Sequence, residues 1–362
     1  MRKIVVITTG GTIGSILEGT SISVNQESDK RLRDEIELIC RRRKLNVEVR
    51  PIINKNSENM NVSDWMHIAE EVENLVLDGV DGIVITHGTD TLHFTASVIG
   101  LLFDRSTARI CFTGSFLPLS NPNSDAYMNL VAAIKAVVDD DMPYGVFVAF
   151  RNGPTKVCNI FHCFDVKPMY FDDPAFSVLY SNYSNRSYKG LVEADRTIAK
   201  VITDRSISVD YSKEFFNERR KMYPYLRFSK QKTVDAADVR GKIFYINAYP
   251  GLDMRRIDRN GLECLIVGLY HSGTASSESY IGSLVSFIRD FKQNGLVLCA
   301  SLSSVYDNHY ENMIDLAKEG ARIYYDLQPH ILFCFATLCL RMGKSQNEIT
   351  DALSLWELEK QD

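Results

Sequence analysis

Lys3-Ile-Val-Val-Ile-Thr8 is a β-branched apolar run that passes directly into Thr9-Gly-Gly-Thr-Ile-Gly14. A buried strand that ends in a glycine-rich turn before helical periodicity begins is the entry to an open α/β sheet, whose ligands bind at the carboxyl ends of the strands. There, backbone N–H groups and small hydroxyls approach a ligand closely. The turn is not a dinucleotide fingerprint, because Thr9 occupies the first glycine slot of G-x-G-x-x-G. Nor is it a P-loop, since no Gly-Lys-Ser/Thr follows. Taken alone, it is equally compatible with a tight strand-to-helix turn that holds no ligand.

Moving outward, the alternation repeats. Strands are expected at Val47 to Ile53, Gly82 to Thr86, Arg109 to Phe112 and Tyr144 to Phe150. Helical periodicity fills Asp29 to Arg43, Ser63 to Leu77, Thr91 to Leu102 and Ser124 to Val138, with Ser63 and Ser124 or Asp125 as N-cap candidates. From about Ser181 to Asp238 tyrosines, arginines and serines crowd the chain, and the segment reads as a connection with one or two strands and a surface helix over Ser212 to Met222. Alternation resumes with strands at Gly241 to Ala248, Leu262 to Tyr270, Gly295 to Ser301 and Ala321 to Asp326. Helices are expected at Ser279 to Gln293, Tyr310 to Lys318, Ile331 to Arg341 and Ser345 to Lys360. The expected architecture is α/β in two domains. A larger N-terminal, doubly wound, mainly parallel domain covers 1–185, a connection 186–240, and a smaller C-terminal α/β domain 241–362.

The chain has 362 residues, enough for two or three compact units at roughly 150 residues each. Its 45% hydrophobic and 24% charged content is that of a globular protein, and a net charge of −5 gives no general attraction to nucleic-acid phosphates or anionic membranes. The basic run Arg41 to Lys44 closes a helix and complements its dipole. Apolar runs are too short to span a bilayer, and the amino terminus does not read as a signal peptide. The eight cysteines lie mostly in apolar segments and read as buried free thiols in a reducing, cytoplasmic setting. Cys158 with Cys163 and Cys334 with Cys339 lack zinc-finger spacing, so neither a metal nor a cofactor is expected.

Three further segments carry polar chemistry after strands. His87-Gly-Thr-Asp-Thr91 concentrates hydroxyls and a carboxylate beyond what capping of the next helix by Thr89 or Asp90 requires. Asn56-Ser-Glu-Asn-Met-Asn61 and Thr155-Lys156 are weak alone. Because all follow strands of one parallel sheet, the topology collects them along one edge.

Thr9 to Gly14, His87 to Thr91, and Thr113-Gly-Ser115 with Ser124-Asp125 and Asn129-Leu130 resemble the bacterial L-asparaginases, the asparaginase/glutaminase amidohydrolases. Asp64-Trp-Met-His-Ile-Ala-Glu70 is similar to their cytoplasmic type I branch, and Tyr249-Pro-Gly251 extends the likeness into the second half. The resemblance implies an asparaginase-like fold and hydrolysis of the side-chain amide of L-asparagine, or a close analogue, through a threonine acyl-enzyme. It implies Thr12 as the candidate nucleophile, with Thr89, Lys156 and Asp90 as a hydrogen-bonded triad and either threonine able to attack first, and backbone N–H groups around Gly11 and Gly88 as oxyanion donors. Ser57 and Glu58 would hold the α-carboxylate end and Asp90 the α-ammonium. A homodimer or homotetramer is implied, with sites completed by a neighbouring subunit, and no metal.

The resemblance breaks off at three places. Family enzymes carry a tyrosine in the loop after the first motif, where this chain has Gly19-Thr-Ser-Ile-Ser23. Their Gly-x-Gly-Asn stretch corresponds to Tyr270-His-Ser-Gly-Thr274, and a Ser-Gln pair to Ala300-Ser-Leu-Ser-Ser304. These changes favour altered specificity, so an amidase for another amide is the nearest alternative, followed by a non-catalytic amino-acid sensor. His271, on the loop after a buried strand, reads either as a substrate contact or as a hydrogen-bonded loop residue.

Overall fold

A computed structural model of the chain describes residues 2–18, 21–23, 26–151, 157–168, 197–203, 206–209, 216, 220, 223, 225–228, 238–302, 310–325 and 327–354. These residues divide into two compact units, the first comprising 2–168 with 197–209, 216, 220 and 225–228, the second 223 and 238–354.

In the first unit, strands β1 (Lys3–Thr8), β4 (Asn46–Pro51), β5 (Gly82–Thr86), β6 (Arg109–Thr113) and β7 (Gly145–Arg151) are parallel neighbours in the order β4-β1-β5-β6-β7. Antiparallel β8 (Cys158–His162), β9 (Thr197–Thr203) and β10 (Ser206–Val209) continue the sheet to eight strands. Two strands of the expected connection therefore belong to the first unit's sheet. A small antiparallel hairpin, β2 (Ile16–Glu18) and β3 (Ser21–Ser23), follows the first glycine turn.

Helices α1 (Gln26–Arg42) and α4 (Ala126–Val138) cover one face, where Leu32, Ile36, Ile39, Leu130 and Ile134 pack on Ile4, Val6, Val84 and Phe147. The helices α2 (Val62–Leu77) and α3 (Leu92–Phe103) form a second helical layer, with α3 against β6 and β7. β5 is buried along its whole length, which its unbroken apolar run Gly-Ile-Val-Ile demands in a sheet covered on both sides. Chain direction matters most at β1. From β1 the chain moves to β4 on one side, then returns across β1 to β5 on the other. The boundary between β1 and β5 is therefore a topological switch point, the position at which open α/β sheets commonly bind ligands.

Helix starts differ from the expected caps. α2 is capped by Asn61, whose side chain accepts from the N–H groups of Ser63 and Asp64 while Asp64 reaches back in a capping box. Ser63 is inside the helix. α3 begins after Thr91 rather than Thr89 or Asp90, leaving those two residues free of capping. At α4, Ser124 Oγ accepts from Ala126 N–H, and the Asp125 carboxylate turns to other partners.

The second unit is a four-stranded parallel sheet in sequence order, β11 (Ile243–Asn247), β12 (Cys264–Gly268), β13 (Leu296–Ala300) and β14 (Arg322–Tyr324). Helices α5 (Leu284–Phe291) and α6 (Glu311–Glu319) bury Phe287, Ile288, Phe291, Met313 and Leu316 with Leu265, Val267, Val297 and Cys299. The helix α7 (Pro329–Arg341) packs on β11, β12 and β13, and α8 (Gln346–Leu353) ends the described chain. α5 starts five residues later than its periodicity suggested, because Ser283 caps it through Ser286 N–H. The expected helix over Ser212 to Met222 lies mostly outside the described residues, as does the end of the helix expected to reach Lys360.

All eight cysteines are buried free thiols. Among the described residues no helix is long and apolar enough to cross a membrane.

Candidate active site

At the β1–β5 switch point the two glycine turns meet backbone to backbone. Gly11 has φ +81°, and a Cβ there would lie 2.5 Å from both the Cα and the N of Gly88. Only glycine permits this approach together with that dihedral. Gly88 is closed in from its other side, where a Cβ would come within 2.5 Å of Ser57 Oγ. A Cβ on Gly10 would strike the Lys55 carbonyl. Three loops, after β1, β4 and β5, are thus in van der Waals contact, and they carry Thr12, Ser57, Glu58, Thr89 and Asp90.

Hydrogen bonds hold this convergence. Thr9 donates to the Thr86 carbonyl through its backbone N–H at 3.2 Å and its hydroxyl at 2.9 Å, which zips the ends of β1 and β5. Lys55 N–H donates to Thr9 O at 3.2 Å. Thr91 Oγ1 donates to Ser57 O at 2.7 Å, tying the start of α3 to the loop after β4. Lys55 Nζ pairs with Asp64 Oδ1 at 2.7 Å, while Asp64 Oδ2 accepts from Asn61 N–H at 2.9 Å, so one carboxylate braces both ends of the Ser57 loop.

Thr12 opens a single 3-10 turn, with its carbonyl accepting from Ser15 N–H at 3.1 Å and Ser15 Oγ at 2.7 Å. Ile13 is fully buried in the core while Thr12 is half-buried, which anchors the turn and leaves the threonine partly accessible. Thr89 is likewise half-buried, Ser57 is buried, and Asp90 and Glu58 are exposed. The three touching loops thus bring hydroxyls, carboxylates and backbone N–H groups to one edge of the sheet, the composition that suits attack on a polar carbonyl and stabilisation of the charge that develops. Thr155 and Lys156 lie outside the described residues.

A further hub went unread in the sequence except as part of a resemblance. Asn129, fully buried on α4, donates from Nδ2 to Gly114 O and to Asp125 Oδ2, both at 2.9 Å, and accepts from Arg151 N–H at 2.8 Å. The Asp125 carboxylate also accepts from Phe116 N–H at 3.0 Å and Leu117 N–H at 3.2 Å. This network joins the end of β6, the start of α4 and the last residue of β7. The Asp-x-x-x-Asn spacing, placing both side chains on one helical face, was its only local signal.

Away from this edge, Asp104, His162 and Cys163 bring potential metal-ligand atoms within 4.8 Å of one another. Their donor set is already committed. Asp104 Oδ1 accepts from His162 Nε2 and Val146 N–H, each at 2.9 Å, and Oδ2 accepts from Arg220 Nε at 3.0 Å. The arginine supplies the countercharge a cation would bring, and burial raises the Cys163 thiol well above its ordinary value. The group fits a buried ion pair better than a metal. His271 is exposed on the turn after β12, where Tyr270 N–H donates to Thr274 O at 2.9 Å.

Residues 3–179 match the family described as Asparaginase, N-terminal. A glutamyl-tRNA(Gln) amidotransferase subunit from Methanosphaera stadtmanae is 34% identical over 141 residues, 38% of this chain and 31% of that protein. The L-asparaginase of Thermococcus kodakarensis is 36% identical over 150 residues, 41% of this chain and 44% of that protein. The aligned part of the chain thus spans about a third of the amidotransferase protein and less than half of the asparaginase. In structure, the thermostable L-asparaginase from Thermococcus kodakarensis superposes with a TM-score of 0.72 at 22% identity, covering 97% of each chain, which establishes a common fold. With glycine turns meeting at the switch point of such a sheet, residues 3–179 are similar to the N-terminal domain of the asparaginase family.

Proposed function

We propose that this protein is an amide hydrolase that converts the side-chain amide of L-asparagine, or a close analogue, to a carboxylate and ammonia. The observation that supports the reading most is the Gly11–Gly88 contact, which joins the turns that carry Thr12 and Thr89. In the proposed course the Thr12 hydroxyl attacks the amide carbon and its proton passes to a neutral Lys156. Asp90 and Thr89 orient that base. The oxyanion is received by backbone N–H groups of the Gly11 and Gly88 turns. Collapse of the tetrahedral intermediate returns the proton to the departing nitrogen, releasing ammonia, and water then hydrolyses the threonyl ester. In this reading Ser57 and Glu58 hold the α-carboxylate end of the amino acid and the Asp90 carboxylate pairs with its α-ammonium. A cytoplasmic homodimer or homotetramer of the type I branch, working without metal or cofactor, completes the proposal.

The amidotransferase relatives favour a second reading, in which the same site serves a transfer of ammonia onto glutamyl-tRNA(Gln). Ammonia release from asparagine, glutamine and other amides by the purified chain separates the two. Release from a free side-chain amide supports hydrolysis. Amide formation seen only with glutamyl-tRNA(Gln) supports the second. Under the first reading Thr12→Ala and Thr89→Val each lower kcat by about a thousandfold or more, and full activity in both variants would show that the nucleophile is elsewhere.

A further inference from the structure

Behind the Thr89 turn runs a continuous chain of buried hydrogen bonds that the hydrolytic proposal does not use. Trp65 Nε1, from α2, donates to Thr95 Oγ1 on α3 at 3.1 Å. Thr95 Oγ1 lies 2.9 Å from His87 Nε2, and His87 Nδ1 lies 2.8 Å from the Gly88 carbonyl. An indole N–H only donates and a carbonyl only accepts, so the run has one direction. The Thr95 hydroxyl accepts from Trp65 and gives its hydrogen to Nε2, and Nδ1 keeps the proton that it donates to Gly88 O. The ring is neutral in this arrangement. Burial favours that form, pushing the His87 pKa down to about 4. His87 and Thr95 are completely buried and Trp65 is 6% exposed. The histidine backbone is itself pinned, since His87 N–H donates to Thr113 O at 2.8 Å.

The end of this run is the peptide between Gly88 and Thr89. In a trans peptide the carbonyl and the following N–H point in opposite directions. With Gly88 O held on the buried, histidine side, Thr89 N–H is turned away from that side. A glycine on one side of a peptide makes its rotation cheap, so without a lock this unit is the one most free to flip. We propose that Trp65, Thr95 and His87 are positioning residues that lock the Gly88–Thr89 peptide with the Thr89 N–H aimed out of the core as an anion-stabilising donor. None of the three touches substrate. The inference rests on the hydrolytic reading for its catalytic consequence, and on geometry alone for the lock.

Two measurements test it. Nitrogen-15 NMR of the histidine rings in the wild-type protein is expected to show His87 protonated at Nδ1 and bare at Nε2 throughout pH 6 to 8. Thr95→Val preserves shape but removes the hydroxyl. It is expected to abolish that single tautomer and lower kcat about ten- to a hundredfold, part of the loss seen when an oxyanion donor is removed outright, with KM nearly unchanged. Thr95→Ser, which keeps the oxygen, restores both. A wild-type His87 carrying its proton on Nε2, or a Thr95→Val enzyme with unaltered kcat, overturns the lock. Wild-type protein that releases no ammonia from any amide defeats the hydrolytic reading instead, and the tautomer with its loss in Thr95→Val then still supports the lock.

Discussion

Gly11 shows how much one missing methyl group decides. Its φ of +81° already lies where side-chain-bearing residues are strained, and its Cβ would meet the backbone of Gly88 rather than a flexible side chain. Neither atom can yield without moving a whole turn. Gly11→Ala should therefore cost about 1–3 kcal/mol of stability in thermal unfolding, and it should abolish turnover in the variant that remains folded, because relief of the clash separates the Thr12 and Thr89 turns. An active Gly11→Ala protein with unchanged melting would mean that the two turns do not need this contact. At this scale the sequence was informative about residue type: glycines and hydroxyls follow β1 and β5, and their loops meet the loop after β4, while Thr155 and Lys156 lie outside the described residues. It was silent about partners. Nothing in Gly88 itself says that Ser57 closes one side and Gly11 the other, since those neighbours are 31 and 77 positions away.

At the scale of elements, helix α4 works as a brace. Its Asp125 and Asn129 lie one turn apart and reach the ends of β6 and β7 simultaneously. Replacing Asn129 by Leu keeps the volume but strands the Gly114 carbonyl and the Arg151 N–H in the interior, at about 1–3 kcal/mol for each. Urea denaturation should register a loss of about 2–6 kcal/mol, and a loss under about 1 kcal/mol would mean that these groups find other partners. Elements themselves were largely legible. Strands of β-branched residues and helices of regular apolar spacing emerged close to where they were expected, because both signals are local. Helix starts were less so. Asn61 took the cap from Ser63, since capping depends on which side chain the preceding loop turns back onto the helix, and α3 starts after Thr91, whose hydroxyl caps nothing and donates instead to Ser57 O.

Across the whole molecule, buried ionisable groups set how stability responds to pH. Burial pushes His87 down to about 4, and burial reinforced by the nearby His87 pushes His93 down to about 3. Both stay neutral in the folded protein while the unfolded chain takes up protons below the ordinary value of 6.5. Their contribution is therefore complete above that value and is lost as pH falls toward the folded values, about 2 kcal/mol for each between pH 7 and pH 5. Denaturation at those two pH values should show the decline, and His93→Phe should remove about half of this histidine share. An equal slope in the variant would rule out His93 as a source. Asp104 acts in a more acidic window. Burial opposes its charge, but His162, Arg220 and Val146 N–H outweigh that and hold its pKa below the ordinary value. Its stabilisation is present above the unfolded carboxyl's range and disappears as pH falls through the lowered folded value.

Taken alone, the sequence determined the α/β class, the strand and helix succession, the thiol character of the cysteines and the candidate residues after each strand. These follow from short-range periodicity, composition and turn chemistry, which a linear chain displays directly. Tertiary structure alone decided that β1 and β5 are neighbours with the chain departing in opposite directions, that β9 and β10 complete the first sheet, and that His87 is tied through Thr95 to Trp65. Strand order and buried hydrogen-bond partners arise from contacts between residues tens of positions apart. Local signals do not rank such pairings, because the energy that selects them appears only when the whole sheet is assembled and its polar groups must be satisfied away from water.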